Sequence, residues 1–223
     1  MESNNKRIAN SQMTNYEKNI QSRTTWHFIK GFVPRFRQYI KHERARRIAR
    51  RRGAIIGENT ILPISLAKQA NKNLSAGHNT SIQTDKIDLR SPVKIGNYCI
   101  IGTCEIITTS HFVDSLDWEH KNYGIEIGDY VWIASNVLIT PSCRKISYGA
   151  VAGAGSVVVK NIETMSIVGG NPAKHLRYRK EVHKNLVVES LLSGDLKQYI
   201  RTYKSKNEIK IAVNKYLCWL LQR

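Results

Sequence analysis

Residues able to move a proton cluster in one stretch of the chain. Between Thr108 and Glu126 (TTSHFVDSLDWEHKNYGIE) lie two histidines, His111 and His120, together with several carboxylates. An imidazole ionises near neutral pH, so it can take a proton from a hydroxyl and hand it on. Asp114 and Glu126 are the acids placed to orient such a ring, and each reads equally as a solvated loop charge. By itself a loop histidine is more often an idle solvent-facing side chain, so the stretch needs a structural context. The cysteines offer no competing chemistry. Cys99, Cys104, Cys143 and Cys218 fall in no CxxC or zinc-knuckle spacing. They are expected to be reduced packing residues, with no structural metal and no nucleophile among them.

The elements around this stretch follow a period of six. Aliphatic or small residues recur at Ile95, Ile101 and Ile107, at Ile127, Ile133 and Ile139, and at Ile146, Ala152 and Val158. One residue is inserted between 139 and 146, near Arg144 and Lys145, and weaker copies stand at Ile56-Gly57 and at Ala76-Gly77 with Ile82. Six matches neither the 3.6 of a helix nor the 2 of a lone strand. It fits a coil with three flat sides, stacked turn on turn, the repeat-leading aliphatic pointing inward and a small residue easing the corner. Residues 108–126 break the count, because 107 to 127 is not a multiple of six. A loop leaving a regular solenoid is where function concentrates.

The run IEIGDYVWIASNVLITP, followed by GAVAGAGSVVVKNIETMSIVGGNPAKHLRYR, resembles the hexapeptide-repeat acyltransferases. Within them it is similar to the sugar O-acetyltransferase branch, which includes maltose, galactoside, nodulation and capsule or O-antigen enzymes. The resemblance covers about residues 54–180 and is tightest over 125–177. It implies a mainly β chain, a left-handed parallel β-helix, a homotrimer with sites at subunit interfaces, and acetyl-CoA as donor. It also implies that His111 is the catalytic base in a direct transfer without an acyl-enzyme; His120 lacks the motif position. Trp132 then lines the acceptor cleft or simply packs on the prism. Ala134, Ser135, Gly153 and Ala154 would lie along the pantetheine arm, and Lys160, Lys174 and Arg177 would meet the nucleotide phosphates. Departures are Ala134 for the usual Gly, Ala152 for a larger aliphatic, Val159 where threonine is frequent, and the insertion.

Charge divides the chain into three sections. The net +18 splits into +11 over 1–52, −1 over 53–173 and +8 over 174–223. The expected organisation is a basic N-terminal arm and helical segment (1–52), the β-helix (53–180) with its loop at 108–126, and a C-terminal helical extension (181–223). Pro34 is expected to break the helical stretch that starts at Trp26. Arg35 to Arg52 holds nine basic residues against Glu43 alone. That segment reads as a solvated helix packed on its own protein, or as a contact to anionic lipid headgroups or an acidic glycan. Nucleic acid is disfavoured, since no aromatic platform or groove-reading motif accompanies the charge. At the other end, Leu186, Val187 and Leu191 and then Leu196, Tyr199, Ile200 and Tyr203 suggest amphipathic helix, interrupted by Ser193-Gly194-Asp195. Ile209, Val213, Tyr216, Leu217 and Leu220 suggest another, capping the solenoid, joining the trimer, or meeting a partner or membrane through Trp219. No apolar leader or membrane span is visible, so a cytoplasmic protein is expected, with a peripheral position at the inner membrane face as the variant the basic ends allow.

The function expected from all of this is acetyl transfer to a hydroxyl of a sugar or surface polysaccharide, free or carried on a nucleotide or lipid. The alternatives are acetylation of an antibiotic and a non-catalytic trimeric scaffold.

Overall fold

The computed structural model describes residues 14–112, 114–183, 188, 191 and 194–204. Short parallel strands dominate it and form three sheets, one per side of a coil. The first sheet stacks Ile55–Ile56, Leu74–Ala76, Val93–Ile95, Ile125–Ile127 and Lys145–Ile146. The second stacks Ser81–Ile82, Ile100–Ile101, Trp132–Ile133, Val151–Ala152 and Ser166–Gly169, and the third Glu105–Ile106, Leu138–Ile139 and Val157–Val158. Each side of each coil thus pairs with the coil before and after it, which satisfies backbone groups without long strands. The strand Lys174–Tyr178 closes the second sheet, running antiparallel to Ser166–Gly169.

One inward residue per side builds the core. Ile56, Ala76, Ile95, Ile127 and Ile146 lie in register on the first side. Ile82, Ile101, Ile133, Ala152 and Val168 do so on the second, and Ile87, Ile106, Ile139 and Val158 on the third. All of these are buried in one cluster.

The period of six is right on the first two sides and fails twice on the third, where Ile82 to Ile87 and Ile101 to Ile106 are each a step of five. Ile106, not Ile107, is the inward partner of Ile139, and Ile107 is only half-buried. The cause is a tightened corner, where the Cys104 N–H donates to the Gly102 carbonyl at 2.9 Å and shortens the turn by one residue. The later insertion is absorbed in the opposite way. Thr140 to Cys143 forms a turn with Pro141 at its second position, closed by the Cys143 N–H to the Thr140 carbonyl at 3.0 Å. Beyond it, the Arg144 and Lys145 N–H groups both donate to Asn161 Oδ1, at 2.8 and 3.0 Å.

The corner after the first side explains the repeated glycine. Gly57, Gly77, Gly96 and Gly128 follow the inward residue in successive coils. A Cβ on Gly96 would sit 2.7 Å from both the Asp129 backbone nitrogen and the Gly128 carbonyl carbon, and closer still to Asp129 Oδ1. Two residues on, the backbone turns left-handed: Asn59 and Asn79 have φ of 56° and 53°, Tyr98 and Tyr130 of 55° and 59°. Asparagine tolerates that conformation. The two tyrosines adopt it with their rings stacked, centroids 5.1 Å apart.

Among the described residues, four helices flank or interrupt the strands: α1 (Asn15–Gln21), α2 (Thr25–Arg51), α3 (Ile64–Gln69) and α4 (Leu196–Lys204). In the first coil α3 replaces the third strand and buries Leu66 and Ala67. Pro34 lies inside α2 without breaking it. It removes one N–H to the Lys30 carbonyl, and at the next position the Arg35 guanidinium donates to the Gly31 carbonyl at 3.0 Å.

The chain divides into two compact units, one running from Ile40 to Gly194, the other made of the described residues up to Tyr39 and from Asp195 on. The second has its own aromatic core. Phe28 stacks on Tyr203 and Tyr199 with centroids 3.8 and 4.8 Å apart. The buried Asp195 meets Arg35 at 3.0 Å and accepts from the Tyr16 hydroxyl at 2.5 Å. Burial and then Asp195 push the Tyr16 hydroxyl well above the ordinary tyrosine range. α4 therefore packs against the N-terminal helices. The helix expected beyond Asn207, with Trp219, Leu186 and Val187, lies outside the described residues. No described helix is long and apolar enough to cross a membrane.

Gly96→Ala tests the stacking constraint. Because two of the three crowding atoms are backbone and cannot swing away, the substitution is expected to cost about 1–3 kcal/mol by denaturant unfolding. A variant as stable as the parent would show that the coils can move apart at this corner.

Candidate functional site

After the third side of the coil that holds Ile106, the chain leaves the solenoid. Thr109–His111 and His120–Asn122 pair antiparallel, with Thr109 opposite Asn122, Ser110 opposite Lys121 and His111 opposite His120. The ladder resumes at Ile125–Ile127, beside Val93–Ile95. The hairpin is fastened at its root by Asp88. Its carboxylate accepts from the Thr109 hydroxyl at 2.7 Å and the Thr108 N–H at 3.3 Å, and from Arg90 at 2.9 and 3.1 Å. Partial burial pushes the Asp88 carboxyl up. The bonds from Arg90, Thr109 and Thr108 outweigh that and hold it well below the usual carboxylate range.

On this hairpin the His111 ring is exposed, and its Nδ1 lies 2.6 Å from the Trp118 carbonyl oxygen. A carbonyl oxygen only accepts, so Nδ1 carries the hydrogen and donates. In the neutral ring the lone pair is then on Nε2, the form a general base needs. Trp118 presents that carbonyl from a left-handed backbone, φ 53°. For a bulky residue this is a strained conformation, of the kind that gathers at functional sites. The partner of His111 is thus a main-chain oxygen. Asp114 is exposed in the hairpin tip. Glu126 lies outward on the first side, between Lys94 and Lys145 in the ladder. Neither shares a hydrogen bond with His111 among the described residues.

The ring of His120 lies 4.4 Å from that of His111, centroid to centroid, a closeness that the sequence does not announce. The pairing of Thr109–His111 with a second short polar strand was the only available signal. Nothing in the sequence marked the Trp118 carbonyl or Asp88.

The other singled-out residues lie elsewhere on the prism. Trp132 faces outward on the second side between Ile100 and Val151, 47% exposed. Ala134 and Gly153 stand at the corner between the second and third sides, in a column of small residues with Gly102 and Gly169. The coils meet tightly there: the Ala134 N–H donates to the Ala152 carbonyl at 3.0 Å, and a Cβ on Gly153 would lie 3.2 Å from the Val168 carbonyl. Ser135 and Ala154, the next positions, are exposed. Lys174 and Arg177 are exposed on the closing antiparallel strand. Lys160 lines a cavity of about 380 Å³ with Glu163, Ser166, His175 and Tyr178. His111 projects from the corner between the third and first sides. Within one chain, therefore, the histidine and the small-residue corner occupy different edges of the prism.

Three thiols are excluded as nucleophiles. Cys99, Cys104 and Cys143 are buried and free. Burial pushes their thiols up to about 12, 12 and 11, so the thiolate is scarce at neutral pH. Cys218 lies outside the described residues. Among the described residues no group of three or more His, Cys, Asp or Glu side chains is placed to hold a metal ion.

Asp88→Asn tests the hairpin anchor. The loss of an ionic acceptor for Arg90 and the threonines is expected to lower unfolding stability by about 1–2 kcal/mol. A carboxyl lowered in the native state stabilises fully above its unfolded pKa of about 4 and loses that contribution as pH falls through the native value. The stability gap between parent and variant should therefore stay level from pH 8 to about pH 5 and close in stronger acid. A gap that widens on acidification would contradict the assignment.

No protein-family model matches the chain. A chloramphenicol acetyltransferase of Klebsiella aerogenes is 44% identical over 68 residues, 30% of this chain and 32% of that protein. The chain spans between a quarter and just over half of the length of the curated relatives it matches. Among solved structures, a hexapeptide-repeat-containing acetyltransferase from Vibrio cholerae superposes with a TM-score of 0.54 at 25% identity, covering 74% of this chain and 99% of that one. The Vibrio cholerae O1 protein crystallised with acetyl coenzyme A matches at a TM-score of 0.42 and 28% identity, over 58% of this chain and 62% of that one. In its hexapeptide register and three-sided parallel coil, the chain is similar to the hexapeptide-repeat-containing acetyltransferase of Vibrio cholerae that it superposes on at a TM-score of 0.54.

Proposed function

We propose that this chain is an acetyl-CoA-dependent O-acetyltransferase acting on a hydroxyl of a sugar or surface polysaccharide, with His111 as general base. The observation that carries this is the Nδ1 donation of His111 to the Trp118 carbonyl, on an exposed ring held by a hairpin rooted at Asp88. His111 Nε2 takes the hydroxyl proton as the acceptor oxygen forms its bond to the thioester carbonyl carbon. A backbone N–H stabilises the resulting oxyanion. On collapse the carbon–sulfur bond breaks, and His111 returns its proton to the departing sulfur, leaving an acetyl ester and free CoA thiol. Ala134, Ser135, Gly153 and Ala154 form a flat ledge along which the amides of the donor arm can lie. Lys160, Lys174 and Arg177 supply cations for its phosphates.

Because ledge and histidine lie at different edges of one chain, a complete site needs His111 of one subunit against the ledge of another. A homotrimer of left-handed coils provides that, with Trp132 facing the shared cleft. The sugar reading is supported by an open cavity of about 460 Å³ beside the hairpin root, lined by Gln69, Asn71, Asn73, Asp88 and Arg90 among others. Amide and charged groups of this kind suit a hydroxyl-rich ligand. The match to chloramphenicol acetyltransferase favours a second reading, transfer to a hydroxylated antibiotic. The exposed Phe112, Leu116 and Trp118 of the hairpin would receive its apolar part.

Thiol release from acetyl-CoA across neutral glycans, acidic glycans and chloramphenicol separates these readings. Glycan-dependent release that falls 10²–10⁴-fold in a normally folded His111→Ala variant is the expected outcome. Release with chloramphenicol alone would move the assignment to the second reading. Full turnover by the variant would remove His111 from the mechanism, and failure to bind acetyl-CoA would leave a scaffold.

A further inference from the structure

The second half of α2, from Ile40 to Arg51, belongs to the same unit as the coils, and its cations fall into two sets. Arg46 and Arg50, with Arg52 just beyond the helix, turn inward. Arg46 donates to the Thr60 carbonyl at 2.9 Å and pairs with Glu43. Arg50 donates to the Ile56 carbonyl at 2.6 Å, and Arg52 to the Ala70 carbonyl at 3.0 Å. With Ala45 and Ala49 fully buried in the core cluster, these bonds fasten the helix along the first coil.

Lys41, Arg44, Arg47 and Arg51 do none of this. All four are exposed, and none is in an ion pair among the described residues. Spacings of three, three and four place them on one side of the helix, away from Ala45, Arg46 and Ala49. Ile40, 52% exposed, lies on that same side. Glu43, the only acid in this stretch, is engaged by Arg46, whose hydrogen bond holds the carboxyl below its ordinary value. A row of like charges three and four residues apart repels itself. No ion pair among the described residues relieves it.

We propose that this row is a docking face for an anionic lipid surface, on which the four cations meet headgroup charges and Ile40 enters the interface. The chemistry fits a plane of negative charge: the cations form a line, they are carried on a helix fixed from behind, and an apolar side chain sits among them. A nucleic-acid groove fits less well, because the inward half of the helix is already bonded to Thr60, Ile56 and Ala70 and cannot be enclosed. At about 1 kcal/mol per cation near such a surface, the row favours anionic over neutral membrane on the order of a thousandfold.

The test is co-sedimentation of the full chain with vesicles of phosphatidylcholine alone and with phosphatidylglycerol added, with an oligonucleotide as a parallel ligand. Binding should require the anionic lipid and weaken with salt. It should drop roughly a hundredfold in an Arg44→Gln/Arg47→Gln/Arg51→Gln variant whose melting and circular dichroism match the parent. Equal binding to both vesicle types, a variant that binds as the parent does, or binding to the oligonucleotide with none to vesicles would each overturn the proposal. Acetyl transfer does not enter this experiment, so its outcome is independent of the catalytic reading.

Discussion

The spacing between successive coils governs this molecule. Parallel strands hydrogen-bond at a separation of about 4.8 Å, and here the successive turns of the chain must keep that distance on every side where strands stack. The inward positions therefore accept one aliphatic side chain per side. The corner after the first side accepts no Cβ, because the next coil's backbone occupies the place. Polar side chains near that corner serve the same end: the Thr80 hydroxyl donates to the Gly96 carbonyl at 2.8 Å, and the Asn97 N–H donates to Asp129 Oδ1 at 2.7 Å. Side chains and backbone are thus tied between coils, and little freedom remains for any one of them to shift alone.

A rigid stack of this kind makes an excursion useful. The hairpin from Thr109 to Asn122 is exposed and has little core of its own, so its geometry must come from where it leaves and rejoins the stack. Asp88 fixes the exit through Thr108 and Thr109, and the strand Ile125–Ile127 fixes the return. Between them the strained Trp118 turns its carbonyl to His111. The chain of cause runs from coil spacing, through two anchor points, to the tautomer of one imidazole.

Much of the solenoid is legible in the sequence because its period is set by the same spacing. Ile95, Ile101, Ile127 and Ile133 announce the core directly. The misassigned Ile107 shows the limit: a corner can lose a residue when one N–H finds a nearer carbonyl, as Cys104 does with Gly102, and composition does not reveal it. Pro34 fails as a helix breaker for a related reason, since neighbouring bonds such as Arg35 to Gly31 stabilise the helix around one missing N–H. That His111 stands on an excursion from the coil is legible in the broken period. Its orienting partner is not, because a backbone carbonyl has no sequence signature, and the carboxylates at Asp114 and Glu126 were the only candidates that residue types could suggest. The closeness of His120 belongs to the cross-strand register, which pairs it with His111 only once the hairpin is formed.

The fold delivers His111 with its hydrogen on Nδ1 and, in the neutral ring, its lone pair on Nε2. Nitrogen-15 NMR of the ring in labelled protein, at a pH where the imidazole is neutral, reads this directly, with His111→Ala assigning the signals. A pyrrole-like resonance for Nδ1 and a pyridine-like resonance for Nε2 is the predicted result. The reverse assignment would mean that the Trp118 carbonyl does not hold the ring and that the hairpin does not prepare a base.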